Sequence, residues 1–309
     1  MKKLLIAFLT AALMSATAVA SDPVPAEESL LDVYPKREDY SPYANRNFPT
    51  NVYWGDTHVH TGMSMDAGAF GARLKPVDAY RFARGEQITS STGQDVKLSR
   101  PLDFLVVSDH SDNMGFFPRL IGGEPSMLAD PTGRRWYDMI NAGGQEGVKA
   151  AVEIVQALTG NKMPPALAAL PGTDAYRSAW ELTVKAAEDY NDPGNFTAFI
   201  GYEWTSTDKG FNLHRNVIYR DDAVRALMIE PYTTLPPLGS PDPRELWKWM
   251  EFYEDKSGGR LLAIAHNGNM SNGNMFPMER TVTGGRVDRD YVQTRARWEP
   301  LYETTQIKG

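Results

Sequence analysis

The chain reads as an α/β protein, and two patterns carry that reading. Short apolar runs, Phe104-Leu105-Val106-Val107, residues 196–202 and Leu261-Leu262-Ala263-Ile264-Ala265, have the unbroken character of strands buried on both faces. Segments with helical spacing lie between them, so the expected topology is a parallel sheet with crossover connections. Chemistry in such folds gathers at the carboxyl ends of strands. The residues that follow each apolar run are therefore the first place to look.

Residues 1–20 read as a secretory signal: Lys2 and Lys3, an apolar run from Leu4 to Met14, then Ala18-Val19-Ala20 before Ser21. Export to the periplasm or the cell exterior is the expectation. The 309-residue chain has no cysteine, which rules out a disulfide framework and a lipidated start. Stability must then come from a core, and the length suffices for one. No second stretch approaches the ~18 consecutive apolar residues of a membrane span. The formal charge is −7, and loss of the two signal lysines makes it −9. An acidic balance argues against nucleic acid or an anionic membrane surface as the main partner.

Residues 21–50 are rich in Pro, Glu, Asp and Asn without a period, and read as a loosely structured lead-in. The folded domain, 51–309, opens with Tyr53-Trp54-Gly55-Asp56-Thr57-His58-Val59-His60-Thr61. A strand has a side-chain period of two, so His58 and His60 share a face and can chelate one ion. A bare His-x-His does not by itself separate a chelate from a hydrogen-bonded pair. The loop 62–67 brings Asp66, a short helix spans 76–84, and Val96-Lys97-Leu98 suits a small hairpin strand.

The strand at 103–108 empties into Asp109-His110-Ser111-Asp112. Residues 113–194 turn to Gly, Ala, Met and Pro with helical spacing, including a helix over 173–190, and read as a helical insertion of the kind that often serves as a lid. The strand at 196–202 ends in Glu203, and its partner over 212–219 contains His214. Asp242-Pro243-Arg244-Glu245 opens a helix to Asp255 as a capping box with proline at its first position. The next strand runs into His266-Asn267-Gly268; a helix at 288–297 and a strand at 301–307 follow.

All five histidines of the chain fall in these strand-end segments. Independent histidines would scatter over helices and loops, so their grouping points to one polynuclear metal site. Nitrogen and carboxylate donors without thiolate suit zinc, manganese or iron. Asp109 is placed to orient a ligand imidazole, and Asp112 to cap its loop. Arg73, Lys209 and Arg215 lie near candidate ligands and could bind phosphate oxygens, but solvated surface charge is the reading we adopt. Asn267 and Asn269 are turn residues or substrate donors, Trp204 a wall of the site, and Trp247 and Trp249 core residues on different helix faces.

Asp56-Thr57-His58-Val59-His60-Thr61, Val107-Ser108-Asp109-His110, Gly201-Tyr202-Glu203 and Ala265-His266 resemble, in order, motifs of the polymerase-and-histidinol-phosphatase (PHP) superfamily of metal-dependent phosphoesterases. Tyr53-Trp54-Gly55-Asp56, the run Ala79 to Gly85 and Arg100-Pro101-Leu102-Asp103-Phe104 bring the chain closer to a secreted branch known as domain of unknown function 3604. The resemblance implies a distorted (β/α)7-type barrel with two or three divalent metal ions at its carboxyl face. It implies His58, His60, Asp66, His110, Glu203, His214 and His266 as metal ligands, with Glu203 bridging. The closing Asp-x-His of that superfamily has no counterpart here, which reads as a barrel and a site incomplete at the carboxyl terminus.

The functional expectation is an exported metal-dependent hydrolase, with Glu203 and Asp109 catalytic and a small-molecule phosphoester as substrate. Such hydrolysis uses water activated by metal and needs no serine or cysteine nucleophile. A non-catalytic exported metal- or ligand-binding protein, or a hydrolase of a non-phosphate ester or amide, are the alternatives.

Overall fold

The computed structural model describes residues 51–160 and 162–304. The signal peptide expected over 1–20, the lead-in expected over 21–50 and the end of the strand expected over 301–307 lie outside the described residues. Among the described residues nine strands form: β1 (Gly55–Val59), β2 (Ile88–Thr89), β3 (Asp95–Val96), β4 (Phe104–Val107), β5 (Thr197–Phe199), β6 (Gly201–Trp204), β7 (Arg215–Tyr219), β8 (Leu261–Ala265) and β9 (Leu301–Tyr302). The β2–β3 pair is a small separate hairpin.

The expected parallel pairing holds for β1–β4–β5 and for β8–β9, but β6–β7 and β7–β8 are antiparallel. The sheet is therefore mixed. β5 and β6 are one run bent at Ile200, so the run pairs with β4 through its first half and with β7 through its second. At the bend Gly201 lies so close to Val106 that a Cβ would sit 2.5 Å from its methyl group. A parallel bridge between His110 and Glu203 joins the two halves.

The barrel does not close by backbone pairing among the described residues, where β1 and β9 remain edges. Curvature nevertheless brings distant strands together. Val106 of β4 packs with Ile218 of β7 and Ile264 of β8, and the Asn216 amide donates to the Thr57 carbonyl on β1 at 3.0 Å.

Helices cover the outer face. α1 (Met65–Ala69) and α2 (Pro76–Ala83) follow β1. The stretch 113–194 holds α3 (Phe116–Ile121), α4 (Pro125–Ala129), α5 (Pro131–Ala142), α6 (Gly144–Thr159) and α7 (Asp174–Tyr190). It divides in two. Residues 116–167 build their own core around Phe116, Met127, Trp136 and Ile154. α7, capped by the Thr173 hydroxyl, instead buries Tyr176, Trp180 and Val184 in the main core. α8 (Ala223–Ala226), α9 (Pro243–Ser257) and α10 (Arg289–Trp298) complete the layer, with Asp222, Asp242 and Asp288 as side-chain N-caps. Trp247 and Trp249 do belong to core packing: Trp247 packs on Tyr291 of α10, and Trp249 stacks between Tyr232 and Tyr253.

Candidate metal centre

β1, β4, β6, β8 and β9 run in one direction, so their carboxyl ends lie at one level. His58 and His60, His110, Glu203, His266 and Glu303 sit at or just beyond those ends. β7 runs the opposite way, which is why His214 precedes its strand rather than follows it. The backbone amide of His266 donates to the His214 carbonyl at 3.3 Å, placing the two residues side by side.

β1 reaches this level through a bulge. Between Asp56 and Val59 it advances three residues against two of β4, from Leu105 to Val107. The Asp56 carboxylate holds the turn by accepting from the His58 amide at 2.8 Å. The result is convergence of the two imidazoles, whose Nε2 atoms approach to 3.1 Å.

Glu203 is the centre of the cluster and is 1 % exposed. Its Oε1 lies 2.7 Å from His214 Nδ1 and 3.1 Å from His266 Nε2. Its Oε2 lies 2.8 Å from His60 Nε2, 3.3 Å from His58 Nε2 and 3.6 Å from His110 Nδ1. Yet Oε2 and His214 Nδ1 are buried without a hydrogen bond of acceptable geometry. Buried polar atoms left unsatisfied among lone-pair donors are what a cation site presents. Ligand atoms bound at about 2.0–2.2 Å stand near 3 Å from one another, as these do. Two groups of side chains can each hold an ion, His58 with Glu203 and His266, and His60 with His110 and Glu203, so the residues fit a metal centre.

The outward nitrogens are also engaged. His58 Nδ1 meets Glu303 Oε2 at 2.8 Å. His60 Nδ1 meets the Ser64 hydroxyl at 2.7 Å and Asp66 Oδ1 at 3.3 Å. His214 Nε2 meets the Thr207 hydroxyl at 3.1 Å. On His110 the nitrogen that faces Glu203, Nδ1, also meets the Thr205 hydroxyl, and the outward Nε2 lies 3.2 Å from Asp66 Oδ2. Such partners fix which nitrogen faces the centre.

Electrostatics follow from this crowding. Burial opposes ionisation of Glu203, but the imidazoles of His110, His266 and His214 hold its carboxyl well below the usual range. Burial likewise disfavours charge on His58 and His60. Their bonds to Glu203, with Glu303 for the first and Asp66 for the second, outweigh it and push them up to about 9 and about 10. Burial wins at His214, which is lowered to about 4.

Six of the seven sequence-predicted ligands, His58, His60, His110, Glu203, His214 and His266, are thus in one cluster, and Asp66 stands behind it. Asp66 lies in the first turn of α1 rather than in a loop. It sits behind the cluster, between His60 Nδ1 and His110 Nε2, the latter 3.2 Å from its Oδ2. Asp109 does not orient an imidazole: its oxygens accept from the Thr61 amide and hydroxyl at 2.6 and 2.7 Å, shaping the turn after His60. Asp112 does not cap its own loop: it accepts from the amide and hydroxyl of the distant Thr234, tying the two segments together.

Arg73 and Lys209 are exposed and donate to backbone carbonyls. Arg215 is no surface charge: it is 1 % exposed and paired with Glu299. Trp204 follows Glu203 in its strand and so faces the other side, where the Arg215 guanidinium lies 5.8 Å from its ring. It does not wall the site. Sequence reasoning missed Glu303, because a strand drawn through 301–307 hid it. Ended at Tyr302, that strand would have put Glu303 under the same strand-end rule as the clustered residues.

A family model described as a protein of unknown function, DUF3604, matches residues 47–309. The chain belongs to the DUF3604 family. Every residue of the cluster, from His58 to Glu303, lies within the DUF3604 match. Neither a curated protein nor a solved structure shows significant similarity to the chain.

Proposed function

We propose that the chain is an exported metal-dependent hydrolase acting on phosphoesters. The observation that supports it most is the buried Glu203 carboxylate, which both candidate ion sites share, with Oε1 facing His266 and Oε2 facing His58, His60 and His110. The ordered motif resemblance to the PHP superfamily supports the same reading and, with it, a barrel of that type. His58, Glu203 and His266 would hold one divalent ion, and His60, His110 and Glu203 a second, with His214 beside the shared carboxylate. Zinc, manganese or iron held there would lower the pKa of water and polarise a phosphoryl oxygen.

The chain's own contribution is placement. Glu303, Ser64, Thr205 and Thr207 hold the imidazoles in orientation, and Asp109 holds the turn that delivers His60. Pre-set geometry of this kind avoids reorganisation during reaction.

The test is metal analysis of the purified chain combined with release of nitrophenol from a nitrophenyl phosphate. Stoichiometric metal and metal-dependent release, both lost in Glu203→Gln, are expected. Metal retained by Glu203→Gln at the level of the parent would overturn the site assignment. A second reading, an exported metal-binding protein without turnover, is favoured by Arg73, Lys209 and Arg215, whose hydrogen bonds and ion pair tie them elsewhere in the fold. Tight metal with no hydrolysis across phosphate, carboxylate ester and amide substrates would select it.

A further inference from the structure

Behind the cluster, on the opposite face of β7, lies a fully buried ion pair. Arg215 and Glu299 are 1 % and 2 % exposed at their side chains, with Nε 2.9 Å from Oε1. Removing two charges from water costs several kcal/mol per ion after relaxation, about what their attraction returns, so such a pair is weak evidence for stability. Its connections point to another role. The Arg215 guanidinium folds back to donate to the Leu213 carbonyl, so the same side chain brackets His214 from both sides in sequence. The Trp247 indole donates to the same Glu299 oxygen at 2.9 Å, and Arg295 pairs with the other at 3.0 Å.

Glu299 sits at the end of α10, directly before the short strand β9, and Glu303 follows that strand. Glu303 is also held through its amide, which donates to the Ala265 carbonyl at 3.0 Å, and Ala265 is the register partner of Arg215. One ion pair therefore anchors two routes to the cluster. The first runs from Arg215 through Leu213 to His214. The second runs from Glu299 through β9 to Glu303 and His58.

We propose that the Arg215–Glu299 pair is a positioning device that sets His214 and Glu303, and through Glu303 the ring of His58, for metal binding. The inference rests on the metal-centre reading and not on hydrolysis. Neither residue touches the cluster; both act through the backbone segments they hold.

The test measures zinc affinity by competition with a chelating dye, alongside melting of the metal-free protein, for Glu299→Gln, Arg215→Lys, Glu303→Gln and the double variant Glu299→Gln/Glu303→Gln. Glu299→Gln keeps an acceptor for Trp247 but removes the charge. It should weaken zinc about 10- to 100-fold, the usual range for a partner outside the ligand set. Arg215→Lys should weaken zinc too, since an ammonium cannot span both Glu299 and Leu213 as a guanidinium fork does. The double variant should lose less than the product of its single losses, because both act on His58.

Variants that melt earlier yet bind zinc within twofold of the parent would overturn the proposal, leaving the pair a packing element. Full multiplicativity in the double variant would overturn the route through Glu303. Should Glu299→Gln not fold, Arg215→Lys carries the same decision. Metal binding without hydrolysis in the parent chain would remove the phosphoesterase reading and leave this inference standing, whereas a parent chain that binds neither zinc, manganese nor iron overturns both.

Discussion

His58 Nδ1 and Glu303 Oε2 stand 2.8 Å apart, joining β1 and the end of β9 by a side-chain contact where the described residues make no backbone pairing. The contact leaves Nε2 of His58 to face Glu203. Glu303→Ala frees the ring to rotate and should lower zinc affinity about tenfold or more. Because Glu303 also helps push His58 up, the metal-free variant should melt somewhat earlier as well, so affinity is compared at a temperature where it is fully folded. Unaltered affinity in dye competition would show that the contact does not orient His58.

The raised and lowered histidines make opposite contributions to the stability of the metal-free protein. His58 and His60, near 6.5 when unfolded, are pushed up to about 9 and about 10. Their stabilisation is fully present below 6.5 and is lost as pH rises through those values. His214, lowered to about 4, destabilises as pH falls from 6.5 towards 4. Denaturant unfolding of the metal-free chain should therefore be most difficult between the two windows. A midpoint that climbs steadily from pH 7 to pH 10 contradicts the assignment.

Ligation requires neutral imidazole, so zinc must displace the protons of His58 and His60. Binding near neutral pH should release about two protons per chain. Calorimetry in two buffers of different ionisation enthalpy reads this directly as a difference in apparent heat. Equal heats in the two buffers would mean that neither ring is protonated beforehand.

Asp109 gives a stability effect with a clear geometric source. Asparagine at this position cannot accept from both the amide and the hydroxyl of Thr61 without turning its own amide against one of them. Leaving a buried group unsatisfied costs about 1–3 kcal/mol, and Asp109→Asn should lose that much in urea unfolding. A variant as stable as the parent would show that the turn after His60 does not depend on Asp109.

Trp136 tests the independence of the insertion's own core. It is 3 % exposed, packs edge-on to Phe116 and bonds Glu153 through its indole. Trp136→Ala should cost about 3–5 kcal/mol and should loosen residues 116–167 in hydrogen exchange while zinc affinity is kept. Concerted loss of protection in β6 and β8 would instead make the insertion part of one cooperative unit with the sheet.

Local chemistry made much of this molecule readable in advance. The helix opened by Asp242-Pro243 was legible as such, and those over 173–190 and 288–297 through their spacing, because a cap and its first turn lie within a few residues of each other. The clustered side chains were readable because a strand end is a local feature, and His58, His60, His110, Glu203 and His266 each follow or close an apolar or aromatic-rich run. The residue types also bounded the chemistry, since nitrogen and carboxylate donors without a single cysteine leave few metals to consider.

What no local pattern could supply was pairing between residues far apart. Whether Arg215 meets solvent or Glu299 depends on a helix that begins 74 positions later, at Arg289. The same holds for Asp109 against Thr61, for the antiparallel course of β7 and for Glu303 against His58. Sequence period records which face a side chain takes; the partner on that face is set by sheet curvature and register, which arise only when the whole chain packs.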